Sequence, residues 1–252
     1  MPREFRSYRV EAIVLKHADW GEADRILTLF TRGRGKLRAI AKGVRKIRSR
    51  RAGHLEPFTR VSLQLARGKN MPIVTQAETI DAHLALRDDL IAIGHASYVV
   101  ELLDRFTYEE GENAALFRLL ADTLARLEGA DNHARLVLRY YEIRLLDIVG
   151  FRPELFHCLA CGETIQAQDQ YFSAEQGGVL CPKCGRETSG ARPISMDALR
   201  YLRYFQRSPY TQAKRAKPSP QVHREMESLM QHYLTYVLER GLNTPRFLKQ
   251  IQ

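Results

Sequence analysis

Two periods divide the chain. Up to about residue 80 apolar side chains recur at every second position, the spacing of a strand with one buried face; beyond Asp81 they recur about every 3.6 residues, the spacing of a helix. Residues 8–16 set Tyr8, Val10, Ala12 and Val14 against Arg9, Glu11, Ile13 and Leu15, and residues 25–31 form a second apolar run. Residues 36–42 place Leu37, Ala39 and Ala41 opposite Lys36, Arg38, Ile40 and Lys42. Val61, Leu63 and Leu65 mark a fourth strand and residues 73–80 a fifth, with Gly68 and Asn70 turning the chain between them. Five short strands predict a small closed barrel. An OB-fold and an SH3-like barrel both fit that count.

The helical part reads as a bundle. Leu90, Ile91, Tyr98, Leu102, Leu103 and Phe106 form one stripe; Leu116, Leu119, Leu120, Leu124 and Leu127 a second; Leu136, Tyr140, Ile143 and Leu146 a third. Gly111 with Asn113, and Gly129 with Asp131, separate them. Ser195 is the expected N-cap of a helix over residues 196–206, and Ser219 with Pro220 opens another that Gly241 would close. Such stripes are core, and no cofactor motif is read into them.

Charge changes the picture in one place. The chain has 252 residues with 39 Lys+Arg against 29 Asp+Glu. Residues 32–51, RGRGKLRAIAKGVRKIRSRR, contain ten cations and no acid, so outside them the charges balance at 29 each. The net +10 therefore sits on the third strand and the loop after it, and a field so concentrated fits a polyphosphate backbone. An OB-fold binds oligonucleotides across its second and third strands, so a basic third strand favours that barrel. The regular alternation and bounding glycines argue against a disordered basic tail. Residues 208–220 carry Lys214, Arg215 and Lys217, either a second phosphate contact or a solvated loop.

Cys158-Leu-Ala-Cys161 and Cys181-Pro-Lys-Cys184 have the spacing of two zinc knuckles, each giving two thiolates to one tetrahedral Zn²⁺. Gly162 and Gly185 follow the second cysteine of each pair, where freedom to turn brings N–H groups toward sulfur. Four protein ligands leave no open position, which makes the metal structural; His157 beside Cys158 is read as a bystander. Residues 171–172 and 177–180 suggest a hairpin between the pairs. No GxxxxGK[ST], GxGxxG or HExxH motif occurs. The acid pairs Asp88-Asp89 and Glu109-Glu110 are adjacent on or beside helices, about 100° apart, poor geometry for sharing a metal. No catalytic residue is assigned, and the chain is read as no enzyme. No run is long enough to span a bilayer, and MPREFRSYRVEAIVL has charges where a signal peptide needs apolar residues, so a cytoplasmic protein without membrane contact is expected.

The order of these parts resembles the bacterial RecO family of recombination mediators. The likeness runs through VEAIVLKHADWGEADRILTLFTRGRGKLRAIAKGVRK, with its Gly21-Glu22-Ala23-Asp24 turn, through LLDIVGFRPELFHCLACG, and through YFSAEQGGVLCPKCG. It implies an α+β protein: a five-stranded OB-fold barrel over residues 1–80, then an α-helical bundle over residues 81–252 with a zinc-finger insertion at residues 157–187. It further implies binding of single- and double-stranded DNA, annealing of complementary strands, and action with RecR to load RecA onto single strands coated by single-stranded DNA-binding protein, close to the bacterial nucleoid. The matching DNA contacts are Arg32, Arg34, Lys36, Arg38, Lys42, Arg45 and Lys46; the matching metal ligands are Cys158, Cys161, Cys181 and Cys184. A zinc-containing RNA-binding factor is the competing reading, and a nucleic-acid-modifying transferase a more distant one.

Overall fold

A computed structural model describes residues 7–109, 111–129, 133–239, 242, 244 and 245. Strands β1 (Ser7–Trp20), β2 (Asp24–Thr31), β3 (Gly35–Ala41), β4 (Arg60–Ala66) and β5 (Ile73–Asp81) close into a barrel in the order β1-β2-β3-β5-β4. Neighbours are antiparallel except β3 and β5, which meet in parallel through Ile40 and Ile73 alone. That crossed order is the OB topology and settles the choice between barrels. Alternation supplies the interior: Ala12, Val14, Leu27, Leu29, Ala39, Ala41, Val61, Leu63, Leu65 and Val74 share one buried cluster.

In β1 the expected two-faced pattern breaks down, because Ala12, Ile13, Val14 and Leu15 are all buried. A bulge between Val14 and Lys16 interrupts the register with β2, and helix α1 (Leu90–Phe106) packs on the strand's outer face. The loop after β3 is ordered. Val44 and Leu55, the latter in a 3-10 turn at Ala52–Leu55, both reach the barrel core, so two apolar pegs bracket the basic residues between them.

Helix α2 (Ala114–Glu128) follows α1. Asp89 accepts from the Ile91 and Ala92 N–H groups at the start of α1, and Asn113 from Leu116 N–H at the start of α2, so Asp89 is a capping acid. By its contacts the chain divides into two units: one runs to Gly129 and takes in the chain from Thr244 on, the other spans residues 130–243. Helices α1 and α2 thus group with the barrel.

In the second unit α3 (Ala134–Ile148) leads into an insertion of β6 (Gln170–Ser173), β7 (Gly178–Leu180), α4 (Pro182–Glu187) and β8 (Arg192–Ile194), followed by α5 (Met196–Arg207), α6 (Tyr210–Ala213) and α7 (Pro220–Leu238). The expected hairpin is present, and β8 adds a third strand beside β6. Ser195 and Ser219 cap α5 and α7 as predicted. The end of α7 differs: Glu239 takes the left-handed cap at φ 51°, while Gly241 lies outside the described residues. The GFRPEL stretch is held by side chains of α5 and α7. Gln206 donates to Pro153 O at 2.9 Å, Arg203 to Leu155 O at 2.7 Å and Tyr233 to Phe151 O at 3.0 Å. Among the described residues no helix is long and apolar enough to cross a membrane.

Candidate nucleic-acid interface and cysteine centre

The fold sorts the cations of residues 32–51 into two kinds. Lys36 is only 14% exposed, and its Nζ donates to the Asp104 backbone carbonyl at 2.7 Å and carboxylate at 3.1 Å. Lys16 reaches the same carboxylate at 2.6 Å. Burial works to raise the Asp104 carboxyl, but the hydrogen bonds and charges of the two lysines outweigh it and hold it below its ordinary value. Arg32 pairs with Glu11 at 3.4 Å. Arg45 pairs with Asp19 at 3.3 Å and lies at the Gly21 and Glu22 carbonyls. Arg51 donates to the carbonyls of Lys42 and Val74, stapling the basic loop to β5.

The turn Gly21–Asp24 serves the same end, since Asp24 Oδ1 accepts from Gly43 N–H at 2.7 Å and Ala23 O from Arg45 N–H at 2.9 Å. Arg32 and Arg45 stay exposed despite these pairs, and Arg34, Arg38, Lys42 and Lys46, with Arg48 and Arg50 beyond them, are exposed with no carboxylate partner among the described residues. Lys214, Arg215 and Lys217 are exposed too, in the second unit.

Arg34 and Arg38 border a groove of about 720 Å³ that the sequence did not reveal. Tyr8, Leu37, Met71 and Pro72 supply its apolar surface; Glu109 and Glu112 line it from the α1–α2 connection. The Arg34 guanidinium carbon stands 4.2 Å from the centre of the Tyr8 ring. These residues come from β1, β3, the β4–β5 turn and a segment some seventy positions after β3. Only the fold brings them together. The groove lies where β3 and β5 have separated, beyond their single bridge at Ile40 and Ile73.

The four cysteines converge as their spacing requires. The sulfurs of Cys158, Cys161, Cys181 and Cys184 all lie within 4.8 Å of one another, and none forms a disulfide. Cys181 N–H donates to Cys158 Sγ at 3.3 Å. Burial pushes the Cys158 thiol up, yet the N–H groups of Cys181, Cys161 and Ala160 outweigh it and hold it at about 6. Cys184 is pushed up to about 12, first by its hydrogen bond with Cys181, then by burial and the other sulfurs. Thiolates this close repel one another, and a divalent cation among them removes that cost, so the donor set fits a metal.

His157 is exposed, lies beside Glu154 and is outside the sulfur cluster. Gly162 turns at φ 78°, as its position suggested. Gly185 serves another purpose: it is helical, and a Cβ there would sit 2.4 Å from the Tyr171 ring, so close packing rather than a turn requires it.

A third group, Asp81, His83 and Glu128, was missed because its members come from the end of β5 and the end of α2. His83 is 2% exposed at φ 44°, with Nδ1 3.0 Å from Glu128 and 3.4 Å from Asp81. Glu128 also accepts from Ala85 N–H. With Nδ1–H as donor to Glu128, and the His83 backbone N–H donating to Asp81 at 3.1 Å, this is a structural lock on an unusual backbone angle.

Comparison with known proteins bears on the whole chain. A family model described as "Recombination protein O N terminal" matches residues 5–83, and one described as "Recombination protein O C terminal" matches residues 87–246. A protein named "DNA repair protein RecO" from Roseiflexus sp. (strain RS-1) is 43% identical over 247 residues, 98% of this chain and 87% of that one. A protein of that name from Dehalococcoides mccartyi (strain ATCC BAA-2266 / KCTC 15142 / 195) is 39% identical over 233 residues, 92% of this chain and 91% of its own. Another, from Bifidobacterium adolescentis, is 36% identical over 244 residues, covering 96% and 98%.

Proposed function

The chain belongs to the RecO family of DNA repair and recombination proteins, and from that premise we propose that it is a DNA-binding mediator that anneals complementary strands. With RecR it would help load RecA onto single strands coated by single-stranded DNA-binding protein, at the nucleoid and without nucleotide hydrolysis. The observation that supports this most is the row of exposed cations running from the turn before the third strand to the loop after it: Arg34, Arg38, Lys42 and Lys46. Annealing joins two polyanions, and a surface that neutralises phosphates on both lowers their repulsion while leaving base edges free. Arg32, Lys36 and Arg45 belong to the same contact set, although their internal partners make them weaker contributors.

We assign DNA binding to residues 1–80 and partner docking to residues 81–252, with residues 157–187 as a zinc-bearing insertion. In it Cys158, Cys161, Cys181 and Cys184 hold one structural Zn²⁺, which supplies a cross-link for a small segment with little core of its own.

The test is annealing of complementary DNA strands, bare and coated with single-stranded DNA-binding protein, by the native protein and by a variant with Arg34, Lys36, Arg38 and Lys42 changed to Ala. Circular dichroism and zinc content establish folding. The native protein is expected to anneal, with an affinity that falls steeply with salt, and the folded variant to fail. Equal annealing by both would move the DNA site elsewhere, to Lys214, Arg215 and Lys217 first. Absence of annealing by either, with RNA bound in preference to DNA, would favour the RNA-binding reading.

A further inference from the structure

The groove beside β3 pairs features that phosphate binding alone does not require. Arg34 and Arg38 line it together with Glu109 and Glu112, yet among the described residues no ion pair joins the arginines to the glutamates. The acidic lining is built. Thr107 Oγ1 donates to Leu103 O at 2.7 Å at the end of α1, and Asn113 caps α2, so both ends of the connection are fixed. Glu109 runs beside β3, in a parallel bridge with Lys36. Gly35 makes room for the connection, since a Cβ there would fall 1.9 Å from the Gly111 carbonyl oxygen.

Two carboxylates bordering a face meant for polyanions should weaken binding, unless the occupant presents donors to them. An unpaired nucleotide does: its phosphate faces arginine, its ring meets the apolar surface of Tyr8, Leu37 and Pro72, and its Watson–Crick edge faces the carboxylates. We infer that this groove takes one unpaired base through Glu109 and Glu112, and selects bases with an exocyclic amino group over thymine. Cytosine offers its N4 amino group, a donor that a carboxylate accepts well. Thymine offers a single imide N–H flanked by two carbonyls, which the carboxylates repel. The volume is that of a small-ligand site, ample for one nucleotide. The selection acts at one subsite within a longer run of phosphate contacts, so in mixed-sequence strands it averages out and charge still governs affinity.

The inference rests on the barrel face binding DNA, and the experiment separates the two. Labelled oligodeoxycytidine and oligothymidine of equal length are titrated against the full chain, at mildly alkaline pH where oligodeoxycytidine stays unstructured. The native protein is expected to bind the cytidine strand about tenfold more tightly, the discrimination of one good base contact. The E109Q/E112Q variant is expected to bring that ratio close to one, because an amide can also donate to a thymine carbonyl. Arg38→Ala should weaken both strands alike and keep the ratio.

Equal native affinities would overturn the inference while leaving phosphate binding intact. So would tighter binding of both strands by E109Q/E112Q at an unchanged ratio, which would make the acids a repulsive rim only. Binding of neither strand by the native protein would overturn the barrel-face reading and this subsite with it. Both glutamates are exposed, and if the double variant lost its fold by circular dichroism, E112Q alone is read the same way.

Discussion

The cysteine centre and the basic barrel face were both visible as runs of one chemistry, and the fold treats them in opposite ways. Four cysteines in two pairs converge until every sulfur is within 4.8 Å of the others. Ten cations in twenty residues disperse: Lys36 turns to Asp104, Arg51 to two backbone carbonyls, Arg45 to Asp19 and Arg32 to Glu11. The difference lies in what each side chain can do elsewhere. A paired thiol spacing has few uses besides a disulfide or a metal, so residue type and spacing nearly fix the geometry. A guanidinium has five donors and serves carbonyls, carboxylates and ring faces equally well, so sequence counts cations without telling which remain free.

The largest effect that would test this contrast comes from Cys158→Ser. A structural zinc site contributes on the order of 10 kcal/mol to the fold of a small domain, so losing one thiolate is expected to release the metal and melt the insertion. Metal content per chain and limited proteolysis within residues 157–187 measure it. Oligonucleotide affinity should stay within about twofold, because the barrel face belongs to the other unit. A metal-free native protein with the insertion already protease-resistant would remove the metal from the account.

A smaller effect separates the two glycines that open β3. Gly35 holds φ 62°, and a methyl group there would strike the Gly111 carbonyl; Gly33 has nothing within 4 Å of its would-be Cβ. Gly35→Ala is expected to cost about 3 kcal/mol, from the left-handed backbone and displacement of the α1–α2 connection, against about 0.5 kcal/mol or less for Gly33→Ala. Urea unfolding of both variants measures it. Equal costs would mean that the connection does not press on β3.

Much of the fold could be read from the period of apolar residues. The five strands and the three stripes following Asp81 emerge with ends shifted by a residue or two, because alternation and the helical repeat are local properties, except that β1 runs on past residue 16 to Trp20. The barrel's order was not local, and neither was the second buried face of β1, which exists because α1 packs on it. At the site, Met71, Pro72 and Glu112 gave no signal, Tyr8 read only as a strand position and Glu109 only as half of an acid pair; none sits near the basic run. Gly185 was singled out correctly but for the wrong reason, since the Tyr171 ring that demands it comes from β6, outside the helix that holds the glycine.

The smallest effect bears on whether an internally paired lysine is lost to binding. Asp104 holds Lys36 and Lys16 together, and its carboxyl lies below its ordinary value because their hydrogen bonds and charges overcome the opposing effect of burial. In the unfolded chain that carboxyl takes up a proton at its usual value, while in the folded chain it stays ionised to lower pH. Its contribution is therefore present at neutral pH and lost as pH falls through the depressed folded value. Asp104→Asn is expected to cost about 1–2 kcal/mol at neutral pH, because an amide replaces a carboxylate between two ammonium groups while the Asp104 backbone carbonyl still holds Lys36. Urea unfolding should show that difference closing on acidification. The same substitution leaves two ammonium groups near Arg38 without their carboxylate, so affinity for single-stranded DNA should rise as stability falls, with a steeper salt dependence by up to about 0.7 per lysine that gains a phosphate. A variant that is less stable yet binds no better would show that Lys36 and Lys16 are structural cations only, and would narrow the DNA contact to the residues the barrel leaves exposed.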